Sequence, residues 1–504
     1  MRIKNITIAL IFIALAFSSC KSKIIMQPEI KHATNRIAAE WEPTIGTIIA
    51  WPLDIPHNLV IELAKDGKLY TMVPNEQEKQ EAIKWYTKWN IDLTNVEFII
   101  APQGSDSWWL RDWGPFAVFT PKGEMHLADG EYEWATPVSG PACDAPLEFI
   151  NDVKINPETG EEELVLTLEE DNAPDSIGKH INAPMIKLPY TFTGGNVFTD
   201  GRGNAISTCI ILNECKHIGV SAEQFFAENK KLLSINNYTI MSNFEERSIQ
   251  HIDCYLKMLD EERLFVMEPP VDHKDYAEYK RIVDEELSKM TNCYGRPYQI
   301  LTLNTYRYDG ERLAAYSNSL INGKTIYMPM FRIPGDSIAL RQWEEAMPGY
   351  TVKGFVYDVD AEPILDPRAR AHRPYGHGWN DGDALHCRTR AMWDREMLYL
   401  SVNRLNKEIA NSDNRKIEVN IIDYSNKGLM ADELFVNYRE KGTSEWTKLP
   451  LMQSEKDFYF YAELPELAAG LSYEYYVSAT SASGKTETMP RTAPYGLYSF
   501  TTVE

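Results

Sequence analysis

At 504 residues and 44% hydrophobic content, the chain is long enough to bury a large core and to divide into two or three domains, which excludes a disordered polypeptide. Its 51 Lys and Arg against 73 Asp and Glu set a formal charge of −22, a field that repels nucleic acid and anionic lipid and draws in cations. Acidity on this scale also serves solubility, so by itself it selects no ligand.

The first predicted element is an export signal. Arg2 and Lys4 precede an apolar run from Ile6 to Phe17, followed by Ser18, Ser19 and Cys20. The run is too short for a bilayer span, and no second run near ~20 apolar residues exists elsewhere to support an anchor reading. Small residues directly before a cysteine predict a lipoprotein signal over residues 1–20, with Cys20 acylated as the mature N-terminus, although Phe17 stands where leucine is usual. The expectation is an exported bacterial lipoprotein, periplasmic or cell-surface, held to the membrane through that lipid only, with a linker over 21–37. The seven cysteines, at 20, 143, 209, 215, 254, 293 and 387, form no patterned framework. A disulfide scaffold and a structural zinc are not expected, and at least one cysteine should be a buried thiol.

Over residues 38–403 apolar strand-like runs alternate with amphipathic stretches, the pattern of an α/β domain. Predicted strands are Thr47 to Trp51, Val96 to Ala101, Ala205 to Ile211, Leu264 to Met267, Gln299 to Leu303, Thr325 to Met328 and Thr351 to Tyr357. Asn75 with Glu78 opens a helix through Trp89, Ser221 with Gln224 opens another with the same capping-box spacing, and Tyr276 to Met290 reads as a third. The units are of similar size, which suggests a quasi-repeated architecture, yet no residue-level repeat is legible. Past Asn411 the texture changes to short alternating segments with Gly, Asn, Ser and Pro between them. Residues 412–504 therefore read as a small immunoglobulin-like β-sandwich, with Tyr473, Tyr475 and Val477 on one face of a strand. That module contains no Cys and no His, so no chemistry is placed in it.

Hydrolysing a guanidinium needs a strong soft nucleophile, carboxylates to grip the planar cation and an acid for the departing ammonia. Trp108 to Pro115 sets Asp112 among aromatics, where a guanidinium can stack and pair, although a Trp-rich core edge would read the same way. In His251 to Cys254, strand alternation would put His251 and Asp253 on one face. A lone His beside a carboxylate is more often an ordinary hydrogen-bond pair. Gly376 to Thr389 is a glycine-rich turn ending at Cys387, whose polar setting argues against an inert buried thiol.

Trp109 to Pro115, Thr193 to Asn196, His251 to Cys254, Tyr316 to Leu320 and Gly382 to Thr389 together resemble the Porphyromonas-type bacterial peptidylarginine deiminase family. That family belongs to the guanidino-group modifying superfamily, which includes agmatine deiminase. The likeness spans roughly Ala38 to Arg395. It implies an α/β fold, a five-bladed pseudosymmetric propeller with the site in its central channel, and chemistry with no cofactor and no metal. It further implies Cys387 as nucleophile, His251 as general acid and base, Asp112 and Asp253 as the guanidinium clamp and Asn318 as a positioning residue. Trp109 would be the stacking wall, with Arg111, Gly194, Gly195 and Asn196 around the substrate.

The implied activity converts arginine in a peptide or protein to citrulline, releasing ammonia through a covalent thiouronium. Two alternatives stand beside it: a deiminase for agmatine or another small guanidine, and a lipid-anchored binding protein without turnover. The family's arginine pair for a C-terminal carboxylate is missing, because Asp129 to Asp144 contains Glu131, Glu133 and no Arg. Arg368, Arg370 and Arg373 could replace it but read better as solvent-facing charges. Thr193 resembles the peptidylarginine branch, where agmatine deiminases usually carry a glutamate.

Overall fold

The computed structural model describes residues 23–31, 33–101, 109–132, 135–137, 147–149, 152–155, 162–165, 168–245, 250–365, 378–380, 382–410 and 413–503. The export signal with Cys20, and also Trp108, Glu133, Cys143, Asp144, Arg368, Arg370, Arg373 and Gly376, lie outside the described residues.

Five small sheets share one plan, in which an antiparallel strand pair is followed by a helical crossover to a parallel third strand. Phe116–Phe119 pairs antiparallel with Met125–Glu131, which pairs parallel with Met185–Thr191 after the helix Leu168–Ile181. Phe198–Thr199, Asn204–Thr208 and Asn237–Met241 repeat this order, as do Leu256–Met258, Arg263–Glu268 and Gln299–Asn304. Leu320–Asn322, Thr325–Met330 and Thr351–Val356 make the fourth unit. The fifth is assembled from both ends of the sequence: Arg390–Trp393 lies antiparallel to Thr44–Ala50, whose parallel neighbours are Lys68–Val73 and Val96–Ile100. Parallel strands cannot be joined by a tight turn, so each unit needs a helix between its second and third strands, and this produces the alternation legible in the sequence.

The apolar faces of these helices and strands bury an extended core that includes Trp51, Leu59, Tyr86, Leu264, Ile282, Ile326 and Trp343, with further clusters around Phe116, Tyr190 and Phe225 and around Ile48, Tyr70 and Leu110. The helix Glu76–Lys88 begins where expected, with Asn75 Oδ1 accepting from the Glu78 amide at 2.9 Å. Its capping box is only half used, because the Glu78 carboxylate accepts instead from the Trp51 indole at 3.0 Å. Ser221 and Gln224 form the full reciprocal box. The predicted strand Ala205 to Ile211 ends at Thr208, because Ile210–His217 is helical; an apolar run shorter than two helical turns carries no period that separates the two.

Residues after Asp394 form two sheets over a separate core of Leu400, Val419, Ile421, Val436, Phe460, Tyr475 and Val477. Ser472–Thr480 alternates buried and half-buried residues along its whole length, the expected period of two. Two expected boundaries are corrected. Leu398–Asn403 pairs with Lys416–Asp423, so the second unit begins before residue 403 and not at 412. The stretch 21–37 is no simple linker either: Ile24–Ile25 pairs with Leu429–Met430, and Arg36–Ile37 with Phe116–Phe119. Short polar stretches between strands look the same whether they link domains or pair across them, and only the tertiary partner distinguishes the cases.

Candidate active site

A short turn precedes the first strand of each of the five units, and the chemistry-bearing segments occupy these turns. They are Leu110–Trp113 before Phe116, Gly194–Asn196 before Phe198, Ile252–Cys254 before Leu256, residues 316–319 before Leu320, and His386–Arg388 before Arg390. The aspartate turn packs on both the glycine turn and the cysteine turn, and the glycine turn on the histidine turn. The sequence holds no residue-level repeat because each turn contributes a different functional group at an equivalent structural position.

These turns leave backbone groups without sheet partners, and two buried asparagines supply them. Asn196 Oδ1 accepts from the amides of Thr208 at 3.0 Å and Ile252 at 3.1 Å, tying the glycine turn to the histidine turn. Asn318 Oδ1 accepts from the amides of His386 at 2.9 Å and Cys387 at 3.3 Å, while its Nδ2 donates to Cys387 Sγ at 3.3 Å. Asn196 is thus a structural staple between these turns. Arg111 is held in the interior, its Nε donating to the His386 carbonyl at 3.3 Å and its Nη1 lying 3.5 Å from Glu40 Oε2. Gly194 is required by packing, since a Cβ there would lie 2.1 Å from the Arg111 carbonyl oxygen.

The expected strand at His251 to Cys254 is in fact a 3-10 turn, with Cys254 N bonded to His251 O at 3.1 Å. Alternation therefore does not explain why His251 and Asp253 meet. They meet at Gly195. A Cβ built on that glycine would lie 2.4 Å from Asp112 Oδ1, 3.0 Å from His251 Nδ1 and 3.3 Å from Asp253 Oδ2, so three functional groups converge on one small volume. Cys387 Sγ is 3.9 Å from the same Asp253 Oδ2. All four side chains are buried, and Trp109, half-buried, immediately precedes the aspartate turn. Alanine at position 195 would fill this volume. We expect Gly195→Ala to lower kcat/KM about 100-fold through misplaced substrate, with little loss of secondary structure by circular dichroism.

The electrostatics follow from burial and pairing. Burial alone would lower the His251 pKa, but Asp112 Oδ1 at 3.3 Å outweighs it and raises the imidazole to about 9. The histidine is a cation at neutral pH. Because its folded value lies above the unfolded one of ~6.5, this pairing contributes its full stability below that pH and loses it as pH rises through 9. A contact from Cys254 favours the Cys387 thiolate, yet burial and the carboxylates of Asp253, Asp383 and Asp112 prevail and raise the thiol above its ordinary value. With the pocket empty, sulfur keeps its proton.

Beneath the site lies a charged layer that the sequence reading did not single out. His386 Nδ1 meets Asp253 Oδ2 at 2.6 Å, and its Nε2 meets Glu40 Oε2 at 2.8 Å. Burial and the Arg111 cation push this imidazole down, but only the imidazolium offers N–H donors to both carboxylates. Burial works against ionising Glu40, yet His386, Lys257 and Arg111 hold it well below the usual carboxylate range. Lys257, fully buried 3.4 Å from Glu40, is pushed down to about 8 by that burial. Arg388 anchors the cysteine turn from the other side, its Nε on Asp54 at 2.8 Å and its Nη2 on Asp383 at 2.6 Å. The only sequence signal for this layer was its charge, which is normally a solvent-facing property.

Cys209 is disulfide-bonded, whereas Cys215, Cys254, Cys293 and Cys387 are free thiols. A cavity of about 520 Å³ between Leu259–Arg263 and the strands near Met489 and Thr501 contains none of the convergent groups.

Fold and site together define a mixed α/β protein of the deiminase fold with a cysteine-centred, doubly acidic pocket. The fold is shared with the agmatine deiminase of Enterococcus faecalis, at 15% identity and a TM-score of 0.52 over 72% of this chain and 96% of that one. It is shared also with a Porphyromonas gingivalis protein provisionally named an arginine deiminase, at 15% identity and a TM-score of 0.50 over 71% and 98%. Residues 36–372 match the sequence model of the Porphyromonas-type peptidyl-arginine deiminases, and the chain belongs to that family. A Vibrio parahaemolyticus protein provisionally named an agmatine deiminase is 24% identical over 211 residues, a stretch covering 36% of this chain and 58% of that relative. The family match ends before Cys387, so the place of that residue rests on geometry.

Proposed function

We propose that the protein is a guanidino-group deiminase that converts arginine in peptides to citrulline. One observation carries the reading: Asp112, His251 and Asp253 converge within 2.4 to 3.3 Å of a point above Gly195, beside the Cys387 sulfur. Two carboxylates facing one small volume repel each other when it is empty, and a flat cation between them relieves that repulsion. The same cation offsets the carboxylates that keep Cys387 protonated, so substrate binding itself favours the thiolate.

The Cys387 thiolate attacks the guanidinium carbon and forms a C–S bond. The C–N bond to the departing nitrogen breaks as the His251 imidazolium gives that nitrogen its proton, and ammonia leaves. The neutral imidazole then takes a proton from water, hydroxide adds to the thiouronium carbon, and collapse expels the thiolate, gives up the hydroxyl proton to solvent and leaves the ureido product. Asn318, bonded to the sulfur and to the backbone amide of its residue, holds the nucleophile in place throughout.

The five sheet units are read as five blades of a propeller whose centre is lined by the turns, and the two C-terminal sheets as an immunoglobulin-like sandwich. The Arg2 to Cys20 pattern supports export and lipid anchoring, which suits a macromolecular substrate. Thr193 supports peptidylarginine over agmatine: its hydroxyl donates to buried Glu214 at 3.3 Å, and it brings no carboxylate for a substrate amine. Agmatine is the second reading, favoured by the named relatives.

The deciding measurement is ammonia and ureido product from internal-arginine peptide, C-terminal-arginine peptide, free arginine and agmatine. Peptide turnover at least ~10-fold above agmatine is expected. Agmatine as the best substrate overturns the peptide assignment, and no release from any substrate points to a binding protein.

A further inference from the structure

Cys254 makes no bond to carbon and moves no proton in the reaction above, yet its sulfur is buried against the reacting groups. Its Sγ lies 3.6 Å from Asp253 Oδ1, and Cys387 Sγ lies 3.9 Å from Asp253 Oδ2. One ligand atom from each of the three residues falls within 4.8 Å of the other two. Zinc bonds of ~2.3 Å to sulfur and ~2.0–2.2 Å to oxygen, set at tetrahedral angles, place neighbouring ligands ~3.5–3.8 Å apart. Each sulfur thus lies near zinc-ligand spacing from one oxygen of the Asp253 carboxylate, the two sulfurs facing different oxygens.

We propose that Asp253, Cys254 and Cys387 form a binding site for one thiophilic divalent cation of the zinc class, and that its occupation closes the reaction centre. Two sulfurs and one carboxylate oxygen select a borderline-soft cation over magnesium or calcium. Supporting contacts of the kind that hold metal ligands are present: His386 fixes Asp253 at 2.6 Å and is itself held by Glu40, while Asn318 Nδ2 reaches Cys387 Sγ at 3.3 Å and Cys254 Sγ at 3.8 Å. Binding forms two metal–sulfur bonds and one metal–oxygen bond, sends both thiol protons to solvent and leaves the fourth position to water. No oxidant or reductant is needed. Because the cation takes up the sulfur and a carboxylate that the guanidinium also requires, metal and substrate exclude one another. The inhibition rests on the deiminase reading, but the binding does not.

The test uses the purified full chain with a phosphine reductant and no added thiol. Zinc is titrated against a chromophoric chelator, and cobalt(II) is followed by absorption. One zinc per chain is expected, with cobalt showing tetrahedral d–d bands and thiolate charge transfer, and with agmatine or an arginine peptide raising the apparent zinc Kd. Cys254→Ser should weaken zinc at least ~100-fold. Cys254→Ser binding zinc as tightly as the parent, or cobalt spectra without thiolate bands, overturns the proposal. So does inhibition that appears only when the phosphine is omitted and that chelator does not reverse, which would instead identify oxidation of the Cys254 and Cys387 pair. If no substrate is turned over while zinc binds as described, the deiminase reading fails and the metal site stands.

Discussion

Replacing Cys387 by alanine should lower ammonia release ~10⁴-fold or more. The loss is large because the sulfur makes the covalent bond, and neither the carboxylates nor His251 can attack carbon in its place. Four decades of rate correspond to ~5.4 kcal/mol of transition-state stabilisation. Stability should change little: the thiol is buried, so its removal costs about 1 kcal/mol, and removing a neutral sulfur leaves no unpaired charge. Thermal unfolding beside the rate assay separates the two effects, and mass spectrometry of quenched parent enzyme should show an adduct on Cys387 that the variant lacks. A variant retaining a tenth of the parent rate would remove Cys387 from the mechanism.

Asp112→Asn should be the next most damaging change, lowering kcat/KM by ~10³-fold. Asn keeps the shape and can still accept the Gly195 amide, which Asp112 Oδ1 receives at 3.0 Å. What disappears is the negative charge, and with it one wall of the cation pocket and the partner that raises His251. In the parent, kcat/KM should fall above pH 9, where His251 loses the proton that ammonia needs. In the variant burial acts on the imidazole with less opposition, so its titration should move from about 9 toward ~6.5, visible by NMR of isotope-labelled histidine. An unmoved titration would show that Asp112 does not set the histidine's charge, and the proposed proton transfer would need another source.

The residue types of the candidate site were legible in the chain. Residue types select chemistry before any fold is known, so Cys387, His251, Asp112, Asp253 and Asn318 could be named from five short motifs and their likeness to a family. Reach was not legible. Gly195 looked like one of several substrate-facing residues, and only the coordinates show that its missing Cβ is the volume where the functional groups meet. Arg111 and Asn196 carried attractive polar side chains in the right motifs, and only the fold shows that Arg111 reaches a backbone carbonyl and Glu40 while Asn196 ties two turns through their amides.

By itself the sequence determined the alternation of strand and helix, the all-β texture of the last ninety or so residues and the inventory of reactive groups. These follow from local periodicity and residue chemistry, which act over a few neighbours along the chain. Tertiary structure decided the rest. It made His251 to Cys254 a turn and not a strand, joined Arg390–Trp393 to Thr44–Ala50 across some 340 residues, and buried Glu40, Lys257 and His386 as one charged layer. Burial and charge pairing depend on what distant segments bring alongside. A buried ion needs a partner in space, whatever its neighbours along the chain.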